Sequence, residues 1–148
     1  VIQRVRHAEV TVGGEEVSAI GHGFLMLVAI VASDLTADAV ALVDKVAGLR
    51  VFADDEGKMN RSLSDVGGSV LVVSQFTLAA DLRRGRRPSF TGAAEPSYAE
   101  HLVATIVETF TNAGLHAESG AFGASMQVTL LNDGPVTFVL DVGEGRVR

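Results

Sequence analysis

The sequence predicts a mixed α+β domain, and three observations predict it. Short runs of apolar residues, several alternating with polar ones and bounded by glycine, read as strands. Two longer segments carry apolar residues at helical spacing instead: Val40, Val43 and Val46 or Ala47, then Leu102, Ile106 and Phe110. The helical segments fall between groups of strands, which suggests α+β layering.

Taken in order, residues 1–6 and 8–12 alternate enough to be strands. Gly13-Gly14 supplies the positive-φ residues of a tight hairpin turn, and residues 15–20 return. Gly21-His22-Gly23 turns again into the apolar run 24–31, which reads as a buried strand. Asp34 and Thr36 suit the start of the first helix, and Gly48 suits its end. A short strand at 50–52 and a polar turn at 53–58 follow. Gly67-Gly68 precedes a strand over 69–75 with an apolar centre. Residues 81–96 form a loop rich in Arg, Gly and Pro. Pro96 suits the first turn of the second helix and Gly114 its cap. Met126, Val128 and Leu130 alternate with Gln127 and Thr129; residues 132–135 break this strand and 136–142 resume it. The expectation is about eight strands and two helices in a single domain over 1–142, with a short mobile tail at 143–148. The chain opens at Val1 already inside a strand-like pattern, so a few preceding residues are expected.

Composition narrows the chemistry. A length of 148 residues fits one domain with one substantial core. Apolar residues make up 47% and charged residues 20%, a surplus that leaves apolar surface for a second subunit. No apolar run reaches the roughly 18 residues that span a bilayer. With no cysteine, disulfides, thiolate nucleophiles and zinc–sulfur sites are all excluded, which fits a reducing cytoplasm. The four histidines have no paired spacing, so neither a metal nor another cofactor is expected. A net charge of −6 excludes a general basic surface, so any RNA contact must be local.

Hydrolase signatures such as a G-x-S-x-G elbow, and glycine-rich nucleotide loops, are missing. Three segments remain. Ser74-Gln75-Phe76-Thr77-Leu78 ends an apolar strand with polar side chains, where a rigid base can present catalytic groups. By itself such a segment more often marks a strand leaving the core. Asn132-Asp133-Gly134-Pro135-Val136-Thr137 by itself reads as a hairpin turn. Arg83, Arg84, Arg86 and Arg87 make a local positive patch suited to phosphate, although a charge run is more often a solvated loop.

Together these segments say more. S-Q-F-T-L after an apolar strand, R-G-x-R-P-S-F soon after, and N-D-G-P-V-T near the C-terminus resemble the signature of the D-aminoacyl-tRNA deacylase family. The opening Val1-Ile2-Gln3-Arg4-Val5, Gly57-Lys58-Met59-Asn60 and Phe122-Gly123-Ala124-x-Met126 extend the resemblance over nearly the whole chain. The chain departs from the family pattern at Ala121, where Arg is usual, and at Ala29, where Gly is common.

The resemblance implies a β/β/α layered, barrel-like fold with two helices. It implies a homodimer in which Gly134-Pro135 of one subunit reaches the site of the other. The implied substrate is the aminoacylated 3′ end of tRNA, hydrolysed to free D-amino acid and tRNA, with glycyl-tRNA a second substrate. Around the bound aminoacyl-adenosine it places Phe76, Phe122, Met126 and Ala99, residue types that otherwise simply pack in cores. Asn132 belongs with the chiral-selection motif, and Arg4 braces Gly134-Pro135. Catalysis is then expected from Ser74, Gln75, Phe76 and Thr77. Backbone N–H groups of that turn can donate to the oxyanion, Gln75 can orient the ribose, and the adjacent 2′-hydroxyl of the RNA can activate water. The competing mechanism makes Thr77 a nucleophile, with no base evident to activate it. Gly134-Pro135, expected to be cis, suits a main-chain wall that an L side chain would strike. A non-catalytic RNA-binding module using the arginine loop is the alternative function.

Overall fold

The computed structural model describes residues 1–83 and 85–148. Its frame is β1 (Ile2–Val12), one strand of 11 residues where the sequence suggested two. Arg6 and His7 are both exposed or nearly so because β1 is irregular there: Val5 faces Asn132 and Ala8 faces Leu130 across the same neighbour. A bulge of this kind breaks the period-2 pattern without ending the strand.

The first half of β1 pairs with β3 (Gly23–Val28) and the second half with β2 (Glu15–Ile20), both antiparallel. Along its other edge runs β8 (Met126–Phe138), also antiparallel. Beyond β3 come β6 (Ser69–Ser74) and β7 (His116–Ser119), both in parallel pairing. Gly23 makes the β3–β6 approach possible. Its φ is 155°, and a Cβ there would sit 1.9 Å from the Ser69 carbonyl oxygen. A side hairpin joins β4 (Phe52–Ala53) to β5 (Met59–Arg61).

Strand alternation divides the apolar residues between two cores. Phe24, Met26, Val28, Val70 and Val72 face helices α1 (Thr36–Ala47) and α2 (Pro96–Asn112). Leu25, Leu71 and Val73 face the opposite way and meet Val5, Val10 and Ile20 inside the curled sheet. The result is the expected mixed α+β arrangement, a nearly closed, barrel-like sheet with two helices on one face. Each fully buried side chain of this size contributes about 1.5–3 kcal/mol.

Some local expectations change. The buried stripe of α1 is Ala39, Val43 and Val46, while Val40 is exposed. Neither Asp34 nor Thr36 caps α1. Its N-cap is Leu35, whose N–H donates to Asp38 Oδ2 at 2.8 Å, while Asp34 accepts the Val31 N–H. The α2 helix does begin on Pro96. The segment 132–135 is not a hairpin turn. Gln3 pairs with Thr137 and Val5 with Asn132, so β8 carries extra residues outward and then continues in the same direction. A turn would have reversed the chain; the pairing of Ile2 with Phe138 shows that it does not reverse. After residue 142, where the sequence suggested a mobile tail, β9 (Val142–Gly143) and β10 (Arg146–Val147) form a hairpin. Its turn residues Glu144 and Gly145 both have positive φ, and the Gly145 N–H donates to Asp38 Oδ1 at 2.7 Å.

Candidate active site

Strand β6 is anchored by Val70–Val73, all essentially buried, and emerges from the sheet at Ser74. The Gln75 N–H makes one last bond to the Val28 carbonyl at 2.7 Å. The chain then tightens into a single 3-10 turn over Phe76–Ala79, closed by Leu78 N–H to Gln75 O at 3.1 Å. The first amides of that turn, those of Phe76 and Thr77, donate to no acceptor among the described residues. Such orphan donors are the normal consequence of starting a helical turn. Here they are held on the end of a buried strand. The Gln75 side-chain amide donates to the Thr77 hydroxyl.

Beside the turn lies a cleft of about 440 Å³. Ser74, Phe76, Phe90, Glu95, Ala99 and Phe122 are among its lining residues. Phe76 and Phe90 meet edge to face, with ring centroids 5.0 Å apart. Phe76 is 59% exposed, unusual for an aromatic ring unless it serves as a surface for something else. The walls are otherwise mostly aliphatic, and no histidine lines the cleft among the described residues.

Phe90 reaches this position from the arginine loop. Asp81 and Ser89 pair antiparallel, with N–H to carbonyl bonds of 2.7 and 3.1 Å, and close the loop at its base. The Asp81 carboxylate takes Arg83 in a fork, at 2.9 and 2.7 Å. That pairing holds the Asp81 carboxyl below its ordinary range and raises the Arg83 guanidinium above its own. Arg86 and Arg87 are exposed and form no ion pair among the described residues. Arg84 lies outside the described residues.

The second motif stands elsewhere. The Gly134–Pro135 peptide is cis, and both residues lie on the outward bulge of β8. The bulge is tied down from behind. Arg4 Nε donates to the Asp133 carbonyl at 3.0 Å, and another Arg4 nitrogen donates to the Val51 carbonyl at 2.5 Å. The Asn132 amide bridges the carbonyls of Arg4 and Val136, at 3.0 Å each. Val136 is buried. Gly134 has φ 140°, and a Cβ on it would come within 2.6 Å of Val136 Cγ2.

The chain therefore brings Ser74, Phe76, Ala99 and Phe122 to one cleft, but not Gly134, Pro135, Asn132 or Met126; Gln75 and Thr77 belong to the adjoining turn and do not line it. Met126 packs against the inner core of the sheet, beside Gly120. Sequence reasoning did not single out Glu95 or the ring contact of Phe90. Nothing local marks Glu95 except its place before Pro96, and Phe90 is far from Phe76 along the chain. Among the described residues there is no group of three or more His, Asp or Glu side chains placed to hold a metal ion.

With this geometry in view, the relatives are informative. The family model described as D-Tyr-tRNA(Tyr) deacylase matches residues 1–141. The chain belongs to that family. A D-aminoacyl-tRNA deacylase of Thermomicrobium roseum is 58% identical over 146 residues, covering 99% of this chain and 95% of that protein. A protein of the same description from Thermus aquaticus is 54% identical over 144 residues, covering 97% and 95%. Among solved structures, one named c-Myc DNA Unwinding Element Binding Protein superposes with a TM-score of 0.84 at 40% identity, covering 91% of this chain and 92% of that one. A probable eukaryotic D-amino acid tRNA deacylase superposes at 0.77 with 15% identity, covering 90% and 93%, and so shares the fold. In this family the cleft and the exposed bulge are the two features whose chemistry has to be explained.

Proposed function

We propose that this chain hydrolyses the ester of D-aminoacyl-tRNA, releasing free amino acid and tRNA as a proofreading step in translation. The observation that carries this reading is the turn after Ser74, with unpaired amides at Phe76 and Thr77, next to an apolar cleft that Ser74 and Phe76 line, in a member of the deacylase family. Water adds to the ester carbonyl, and its oxygen becomes an oxyanion. The N–H groups of Phe76 and Thr77 are the donors for that charge. The carbon–oxygen bond then breaks, and the 3′ oxygen of the ribose leaves with a proton. The neighbouring 2′-hydroxyl of the RNA takes the proton from water as it passes its own to the departing 3′ oxygen; the cleft lining supplies no imidazole for that task. Gln75 is assigned the role of orienting that ribose.

Thr77 is the weaker candidate for nucleophile. Its hydroxyl accepts a hydrogen bond from the Gln75 amide, a contact that does not draw its proton away.

Selection against L-esters is assigned to Gly134-Pro135 of a second copy of the chain. Both residues are absent from their own cleft, and Arg4, Asn132 and buried Val136 hold the bulge that carries them. A rigid main chain beside Cα blocks an L side chain and leaves space for a D side chain or for glycine. Glycyl-tRNA is then a second substrate. The homodimer this requires has apolar surface to use: Leu131 and Val139 on and beside β8 are 49% and 79% exposed.

Arg86 and Arg87 take backbone phosphates near the acceptor end, while Arg83 is committed to Asp81. A cytoplasmic location belongs to this reading; among the described residues no helix is long and apolar enough to cross a membrane. The deciding experiment compares D-tyrosyl-, L-tyrosyl- and glycyl-tRNA with one preparation. Hydrolysis of the D and glycyl esters with the L ester spared is expected. Equal hydrolysis of D and L esters would remove the wall, and tight tRNA binding without hydrolysis would leave a non-catalytic RNA-binding module.

A further inference from the structure

Glu95 is a charged side chain on an otherwise largely apolar cleft, and the reaction as derived gives it no task. It is the N-cap of α2 but makes no side-chain cap there. Among the described residues its carboxylate has neither an ion pair nor a hydrogen bond. A carboxylate has about four acceptor sites. Glu95 is exposed, so water serves its carboxylate in the free chain, and on the cleft that Phe76, Phe90 and Phe122 also line a polar hydrogen of a bound aromatic group can take the place of that water.

The backbone says which part of an aminoacyl-tRNA lies there. The Gln75 N–H is bonded to the carbonyl of Val28, and the Ala94 N–H to the carbonyl of Ile30. The catalytic turn and the start of α2 are therefore hung from the same stretch of chain two residues apart, a separation of roughly 6–7 Å along an extended backbone. The α-ammonium of the aminoacyl group is only two bonds from the scissile carbonyl and stays with the turn. The base, carried on the far side of the ribose, extends away from it. Faces of Phe76, Phe90 and Phe122 suit a flat ring, and the group on that ring that donates to a carboxylate is an exocyclic amine.

We propose that Glu95 accepts a hydrogen bond from the exocyclic amine of the 3′-terminal adenine and so makes the enzyme specific for that base. This rests on the deacylase reading of the same cleft. It makes Glu95 a specificity-determining residue, with no part in the chemistry at the ester.

The test is a double difference. D-tyrosyl-tRNA ending in adenosine is compared with the same tRNA ending in purine riboside, which lacks only the amine, using wild type, Glu95→Ala and Glu95→Gln. Wild type is expected to lose about tenfold in kcat/KM on removal of the amine, the lower range for a hydrogen bond to a charged group. Glu95→Ala is expected to show that loss already on adenosine and almost no further loss on purine riboside. Glu95→Gln keeps an acceptor oxygen and is expected to retain part of the discrimination. A full tenfold amine effect surviving in Glu95→Ala, or no amine effect in wild type, overturns the assignment. An equally large loss on adenosine in Glu95→Gln and Glu95→Ala, with the amine effect intact in both, also overturns it, since that pattern belongs to a charge held for the α-ammonium. The two readings fail separately. An inactive wild type defeats the deacylase reading, whereas an active wild type indifferent to the base amine defeats only this inference. Thermal melting of each variant checks that the N-terminus of α2 is intact.

Discussion

Thr77 and Asp38 show how little a residue's type says about its work. Thr77 is exposed at the proposed catalytic turn and looks like a nucleophile, yet its hydroxyl faces an amide donor. Thr77→Ala keeps both backbone amides, so we expect it to lose less than about tenfold in kcat, where removing a true acyl nucleophile costs about a millionfold. Single-turnover kinetics with mass spectrometry decide the matter, and a trapped ester on Thr77 would reverse the assignment. Asp38 looks like an ordinary helix acid, yet it is buried and accepts the backbone N–H groups of both Leu35 and Gly145. Those bonds, led by Gly145, hold its carboxyl below the ordinary value of 3.8. A depressed carboxyl stabilises the fold above that ordinary value and loses its contribution as pH falls through the lower folded-state value. Asp38→Asn should cost about 1–3 kcal/mol near neutral pH. The gap from wild type should narrow as pH drops below 3.8. Denaturant melts at several pH values read it, and a gap independent of pH would contradict the account.

At the scale of elements, the bulge of β8 and the arginine loop are both local departures from regular structure closed by specific bonds. The bulge needs Gly134, whose φ of 140° and close approach to Val136 leave no space for Cβ. Gly134→Ala is expected to cost about 1–3 kcal/mol and most of the activity, because the main chain it displaces is the proposed wall. Unchanged selectivity between D and L esters in a folded Gly134→Ala protein would show that the bulge plays no part in discrimination. The arginine loop is closed by Asp81 and Ser89, and of its described arginines Arg86 and Arg87 remain uncommitted. Replacing both with alanine should reduce the slope of log K against log salt by roughly 1 for each phosphate that an arginine no longer neutralises. The same slope in wild type and variant would make the loop a solvated surface.

For the whole molecule, the separation of the two motifs is the central fact. Gly134 and Pro135 do not line the cleft of their own chain, and the proposed function therefore requires a symmetric pair in which each copy completes the other. Sedimentation should show a dimer, and dilution to monomer should abolish activity. A mixing experiment is sharper. Gly134→Ala and Phe76→Pro, which deletes one of the two donor amides, each with little activity alone, should regain activity when dissociated and reassociated together, because a mixed dimer contains one intact site. No recovery in a demonstrated heterodimer would place the whole site within one chain.

Much of this was legible in the residues themselves. The pattern of alternation specified the class of fold and the strands β1 to β4, β6 and β8, because burial on one face imposes a period of two, whereas β5, β7, β9 and β10 carried no such pattern. The helical stripes marked α1 and α2, and Pro96 marked the start of α2, since a proline there loses no hydrogen bond. The family was readable because the motifs stand in the order of its pattern, and the family model matches residues 1–141. Other features were decided only when distant segments met. The chain at 132–135 reads as a turn until β1 is seen to continue pairing on both sides of it, and pairing partners are not local information. Residues 143–148 carry no pattern of their own and are ordered by Asp38, 107 residues earlier than Gly145. Arg83 reads as a phosphate ligand until Asp81 is found gripping it. Glu95 reads as one more surface acid, and only the cleft assembled from β6, the arginine loop and α2 places it among aromatic rings with no partner. Periodicity is a property of a segment, but a binding site is a property of which segments the fold brings together.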